Sequence, residues 1–291
     1  MYRHNDLEPS QRETTMVEQP RASIRRHSVW VRVTHWINAG CLLILLMSGL
    51  QIFNAHPALY WGQASAFDHP VLALTATSSD ESGIRGVTRL FGHAFDTTGV
   101  LGASPGSGGV MQVRGFPAWL TVPSYQDLAT GRRWHFFFAW LLVFNGAAYL
   151  LYSVASRHLT RDLLPTRPQL RLIGHTIWEH LLLRFPRGDD ARHYNVLQKL
   201  AYLIVALVLL PLMVLTGLTM SPGIDAAFPE LLTLFGGRQS ARTIHFLAAS
   251  GLVLFVIVHV AMVLLSGAWN NLRSMITGSY VLPGGAHAHE S

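Results

Sequence analysis

The stretch from Arg242 to His259, RTIHFLAASGLVLFVIVH, decides the fold. It holds two histidines, His245 and His259, fourteen residues apart on what reads as one uninterrupted apolar helix. At about 100° per residue that separation turns the chain by about 1400°, about 40° short of four full turns, so the two rings share a face about 21 Å apart along the axis. No residue between them is charged. Such a helix belongs in a bilayer, where an ionisable ring is expensive and reads as functional.

The rest of the chain agrees. Its 291 residues are 50% hydrophobic and only 13% charged, with mean hydropathy +0.29, too apolar and too charge-poor for an ordinary soluble domain. Charge-free apolar stretches of about 20 residues, enough to cross about 30 Å of hydrocarbon, occur at 33–53, 134–156, 200–220 and 243–265. The expected fold is all-α, an integral membrane four-helix bundle covering 29–278, with a polar tail at 1–28 and a disordered tail at 279–291. Pro211 is expected to kink the third span. No internal repeat is evident.

The tail to Arg32 carries six Lys and Arg, the 157–199 segment eight and the segment after the fourth span one, Arg273, against five in 54–133 and two in 221–242. By the positive-inside rule both termini lie in the cytoplasm of a bacterial inner membrane, with 54–133 outside. That long outer loop between spans 1 and 2 is either disordered or a docking surface; its Leu90, Phe91, Phe95, Phe116, Trp119 and Tyr125 favour docking. The basic residues form no stripe interleaved with aromatics, so nucleic acid is excluded as a partner. A single cysteine, Cys41, excludes intramolecular disulfides, C-x-x-C metal sites and covalent haem attachment.

Four of the fifteen histidines fall in the spans: His35, His135, His245 and His259. His35, at the inner start of the first span, is level with His259 at the inner end of the fourth. His135 and His245 lie at the outer starts of the second and fourth. Two bis-His sites stacked across a membrane fit two six-coordinate b haems, His35 with His259 inside and His135 with His245 outside. An arginine precedes the histidine by three residues at Arg32, Arg132 and Arg242, on the same helix face, where a haem propionate needs a cation. The bland alternative for the histidines is interhelical hydrogen bonding or a proton relay in a haem-free transporter; without intramembrane Asp, Glu or Lys a relay lacks its usual members. Ala248, Ala249, Ser250, Gly251 and Gly146 leave room for a macrocycle, although small residues also permit close helix packing. Elsewhere, His93 in the outer loop is a rival to His135. His158 and His193 read as solvated or interfacial, and His175 and His180 flank Trp178 and Glu179 in an amphipathic segment that could border a quinone mouth.

These residues resemble bacterial cytochrome b561 and the cytochrome b subunits of Ni,Fe-hydrogenase, thiosulfate reductase and formate dehydrogenase, over roughly 26–278. The carriers are R-V-T-H-W at Arg32 to Trp36, R-R-W-H at Arg132 to His135, and the fourth-span His245 and His259. The resemblance implies the ligand pairs above, a quinone site beside the inner haem, and electron transfer between a periplasmic oxidoreductase and the quinone pool. The segments 91–103 and 185–201 look like a subgroup that accompanies exported molybdopterin oxidoreductases. A competing expectation is a stand-alone quinone-linked oxidoreductase acting on a small oxidant such as superoxide.

Overall fold

The computed structural model describes residues 23–25, 27–80, 83–156 and 196–281, with Pro168 and Gly174 besides. The readings made for His158, His175, Trp178, Glu179, His180 and His193, and for most of 1–28, 157–199 and 279–291, lie outside the described residues.

Among the described residues four helices are long and apolar enough to cross a membrane, at Val29–Phe53, Leu128–Ala155, Val196–Thr219 and Arg238–Leu265. The helical membrane bundle expected from the sequence is therefore present. Helix α1 (Val29–Phe53) starts before its apolar run because Ser28 caps it, its hydroxyl accepting from the Val31 amide at 3.3 Å. Asp127 does the same for α2 (Leu128–Ala155), accepting from Ala129 and Thr130. Hydrogen bonding at Thr130 holds the Asp127 carboxyl below its usual range, so the cap stays charged at neutral pH. Arginines near the starts, Arg32 of α1 and Arg132 and Arg133 of α2, interrupt a charge-free run, which is why both helices begin several residues early.

The third span is not one regular helix. It runs as α3 (Val196–Ile204), a π-helical turn (Val205–Leu209) and α4 (Leu210–Thr219). Pro211 lacks an N–H and its ring would collide with the carbonyl of Leu207 in a regular helix; the wider turn absorbs the conflict at the place where the sequence predicts a kink. Two short helices, α5 (Pro222–Ala227) and α6 (Pro229–Leu234), lead to α7 (Arg238–Leu265), which carries the decisive stretch unbroken; α8 (Ala268–Thr277) follows. Packing runs within two hairpins, α1 on α2 and α4 on α7, more than between them.

The 54–133 loop, at the end of the bundle that the positive-inside expectation makes the outer one, is a folded cap. Strands β2 (Ala58–Leu59), β3 (Leu72–Ser79), β4 (Gly83–Leu90) and β5 (His93–Asp96) make an antiparallel sheet in that order, and β6 (Ala103–Pro105) pairs with β7 (Met111–Val113). Phe53, Leu59 and Leu74 form its core with Phe116 and Phe246 against them, so the cap is packed onto the outer ends of α1 and α7. Asn54 at the end of α1 clasps the Phe116 backbone from both sides, accepting from its amide at 2.6 Å and donating to its carbonyl at 3.1 Å. Thr243 of α7 donates to the Tyr60 carbonyl at 2.6 Å, and Ser240 accepts from the Gly62 amide at 2.7 Å. Gly237, at φ 110°, lets the start of α7 approach so closely that a Cβ there would lie 2.7 Å from the Gly62 carbonyl oxygen.

At the inner end β1 (Ser23–Arg25) pairs antiparallel with β8 (Ser279–Val281). Parts of both segments expected as tails are thus joined to the fold.

Candidate functional site

The bundle brings the four intramembrane histidines together in two pairs. The rings of His35 and His259 have centroids 6.3 Å apart with planes inclined at 60°, and those of His135 and His245 also stand 6.3 Å apart at 60°. Fourteen residues of continuous α7 separate the two sites by about 21 Å along its axis. Helix α1 gives an independent depth check: Ser48, which touches His135, is thirteen residues from His35, or about 20 Å. Each pair takes one histidine from the α1–α2 hairpin and one from α7.

The outer rings are held by hydroxyls. Ser48 Oγ of α1 lies 3.1 Å from His135 Nδ1, and Thr216 Oγ1 of α4 lies 3.0 Å from His245 Nδ1. Each hydroxyl has one hydrogen, and each donates it along its own helix, Ser48 to the Ile44 carbonyl and Thr216 to the Leu212 carbonyl, both at 2.6 Å. Each oxygen is therefore left to accept, so Nδ1 of both histidines carries the proton and Nε2 carries a free lone pair. A glycine follows each hydroxyl residue. A Cβ on Gly49 would sit 3.3 Å from His135 Cε1, and one on Gly217 would sit 3.5 Å from His245 Cε1. The inner rings have aromatic surroundings: Trp36 stacks on His35 at 5.4 Å and Phe255 on His259 at 5.8 Å.

The family model described as prokaryotic cytochrome b561 matches residues 85–278, two thirds of the chain and three of the four spans. This chain belongs to the prokaryotic cytochrome b561 family. It is also 31% identical over 239 residues to a protein of Azospira oryzae designated a protein-methionine-sulfoxide reductase subunit, YedZ1; the match covers 82% of this chain and 90% of that one.

A cytochrome b561-type protein is a membrane electron-transfer protein that binds haem b, and the histidine pairs can be tested against such a group. Two imidazoles on opposite sides of one metal ion, with metal–nitrogen bonds of about 2.0–2.1 Å and about 1.1 Å from nitrogen to ring centroid, have centroids about 6.3 Å apart. Both pairs meet that spacing. Gly146 lies eleven residues after His135, about three turns along the same face of α2 and so near the depth of the inner pair, and a Cβ there would meet nothing within 4 Å. Gly251 differs: its Cβ would lie 3.5 Å from Leu209 Cδ1, so its small size serves packing of α7 on the π turn. Among the described residues no group of three or more His, Cys, Asp or Glu gathers, which leaves the pairs as the candidate iron sites.

The three arginines take different positions. Arg242 is partly buried beneath the cap, donating to the carbonyls of Ala58 (3.0 Å) and His56, with its guanidinium 5.2 Å from the Phe53 ring centroid. Arg32 donates to the Ile276 carbonyl at the end of α8 while its Nε is enclosed without a partner. Arg132 is exposed and lies over Phe136. Among the described residues none of the three is paired with a carboxylate. His93 is exposed on β5 and does not enter the bundle; the residue facing His245 is His135.

Sequence reasoning overlooked Ser48, Gly49, Thr216 and Gly217. The signal was there: L-M-S-G-L at 46–50 and V-L-T-G-L at 214–218 are one motif used twice, each on the helix before an outer histidine. A short repeat is thus present where none was evident. Phe116, expected on a docking surface, instead packs edge-on against Phe53 in the core of the cap. Phe91, Phe95, Trp119 and Tyr125 are exposed.

Proposed function

We propose that this cytochrome b561-family protein carries electrons across a bacterial inner membrane through two b haems, one ligated by His35 and His259 and one by His135 and His245. The observation that carries this reading is the identical 6.3 Å spacing of two histidine pairs at opposite depths of one bundle. A six-coordinate haem supplies reversible one-electron chemistry and offers no open position to a substrate. The chain's own residues do the rest. They fix the rings, keep water from the irons by burying them among the spans, and supply Arg32, Arg132 and Arg242 as cations for propionates.

The inner site exchanges with quinone and the outer site with a periplasmic oxidoreductase seated on the cap. The relative designated a subunit of a protein-methionine-sulfoxide reductase supports a reductase of oxidised methionine, a molybdopterin enzyme by the sequence resemblance, as that partner. Electrons on this reading run from quinol at the inner face to the partner at the outer face, with both termini in the cytoplasm.

A pyridine-haemochrome assay with reduced-minus-oxidised spectra on purified wild type, His135→Ala and His259→Ala tests the ligand assignment. The expected result is two b haems per chain in the wild type and one in each variant, the two remaining spectra being different. Absence of haem from the wild type, or full haem in either variant, sinks the assignment.

A further inference from the structure

We propose that Ser48 and Thr216 are positioning residues for the outer haem, a matched pair of locks that fix the tautomer, rotation and donor strength of its two imidazoles. This rests on the ligand assignment above and deepens it.

Four features converge. The hydroxyls bond the same ring atom, Nδ1, at 3.1 and 3.0 Å, from two different helices. Each donates to a carbonyl four residues back, at 2.6 Å in both cases, which leaves its oxygen to accept from the ring beside the backbone carbonyls of Leu45 and Met213. Both are fully buried, at 0% exposure, so water does not compete for the contact. The glycine that follows each one lets the ring edge approach the helix. A single serine back-bonded to its helix is ordinary; two such residues converging on facing rings, in a repeated hydroxyl–Gly–Leu motif, are a built arrangement.

The chemical consequence has a sign. An oxygen that accepts the Nδ1 proton draws it off the ring and makes Nε2 a stronger donor. A stronger donor favours ferric over ferrous iron and lowers the midpoint potential. The locks also hold the ring planes at 60° to each other, and that angle is read directly by the low-spin ferric EPR signal. The inner rings instead meet aromatic side chains, Trp36 on His35 and Tyr202 and Phe255 on His259, so the two sites are held differently.

The test is a potentiometric titration with EPR on full-length protein carrying Ser48→Ala, Thr216→Val, both together, or the conservative Ser48→Thr and Thr216→Ser. The outer haem is identified beforehand as the one lost in His135→Ala. We expect its potential to rise in each single variant and further in the double, with a displaced EPR signal, an unmoved inner haem, and wild-type values in the conservative variants. Should the double variant lose the outer haem, the singles decide, since each keeps one lock. An outer haem with wild-type potential and EPR in both singles overturns the proposal. Movement of the inner haem instead, or no haem loss in His135→Ala, overturns the ligand assignment on which it stands.

Discussion

Arg114 is only 3% exposed, and no carboxylate accompanies it among the described residues. Its donors go to neutral acceptors: Nε to the Phe116 carbonyl at 2.7 Å, Nη1 to the Ser124 carbonyl at 2.9 Å, and Nη2 to Thr121 at 3.0 Å and Gln51 at 3.3 Å. One side chain thus ties three turns of the cap to the outer end of α1. Replacing it with leucine leaves several buried acceptors unmatched, at about 1–3 kcal/mol each. Arg114→Leu should lower the stability of the cap by about 3 kcal/mol or more, seen as faster amide exchange across 111–126. Unchanged exchange there would show that water replaces the guanidinium. Nothing in the sequence distinguished Arg114 from the four other arginines of the outer segment, because its role depends on carbonyls brought in by the fold. The histidines were legible for the opposite reason. A ring in a charge-free span has few explanations, and the fixed pitch of the helix states which rings share a face.

At the scale of the element, the four spans were legible because the bilayer imposes length and composition together, while their polar first turns and the π turn were not. The turn at Val205–Leu209 amounts to one residue added to an otherwise regular helix. Deleting one residue within it, such as Ala206, should remove the widening, leave Pro211 to kink the span instead, and preserve the facing of both flanks, Tyr202 toward His259 and Thr216 toward His245. The same deletion beyond the turn, at Val214, rotates Thr216 by about 100° away from its ring. We expect wild-type haem content in the first deletion and loss of the outer haem in the second, by the same spectral assay. Equal damage in both would mean that the widened turn serves the site directly. The strands of the cap escaped sequence reading because short runs rich in Gly, Thr and Ser give weak alternation, and their partners are fixed only by the helix ends beneath them.

For the molecule as a whole, the cap and the bundle meet at His56. Its Nε2 is enclosed without a partner beside Tyr60 and Phe67. Burial, and then the Arg242 guanidinium, hold its pKa below the usual imidazole value of about 6.5. The unfolded chain therefore binds this proton more readily than the folded one. The associated stability is complete above about pH 6.5 and is lost as pH falls through the depressed value. Limited proteolysis between pH 7.5 and pH 5 should show the cap loosening on acidification, and His56→Gln should flatten that dependence. An identical profile in the variant would assign the effect to other groups. The pairing of histidines has a consequence for how such a protein is made. Each candidate iron site draws one ring from the α1–α2 hairpin and the other from α7, so a ribosome that has released only the first hairpin has delivered half of two sockets and the whole of neither. On the proposed ligand assignment cofactor loading would wait for the last span, and a loaded haem would act as a rivet through two hairpins that otherwise pack mainly on themselves.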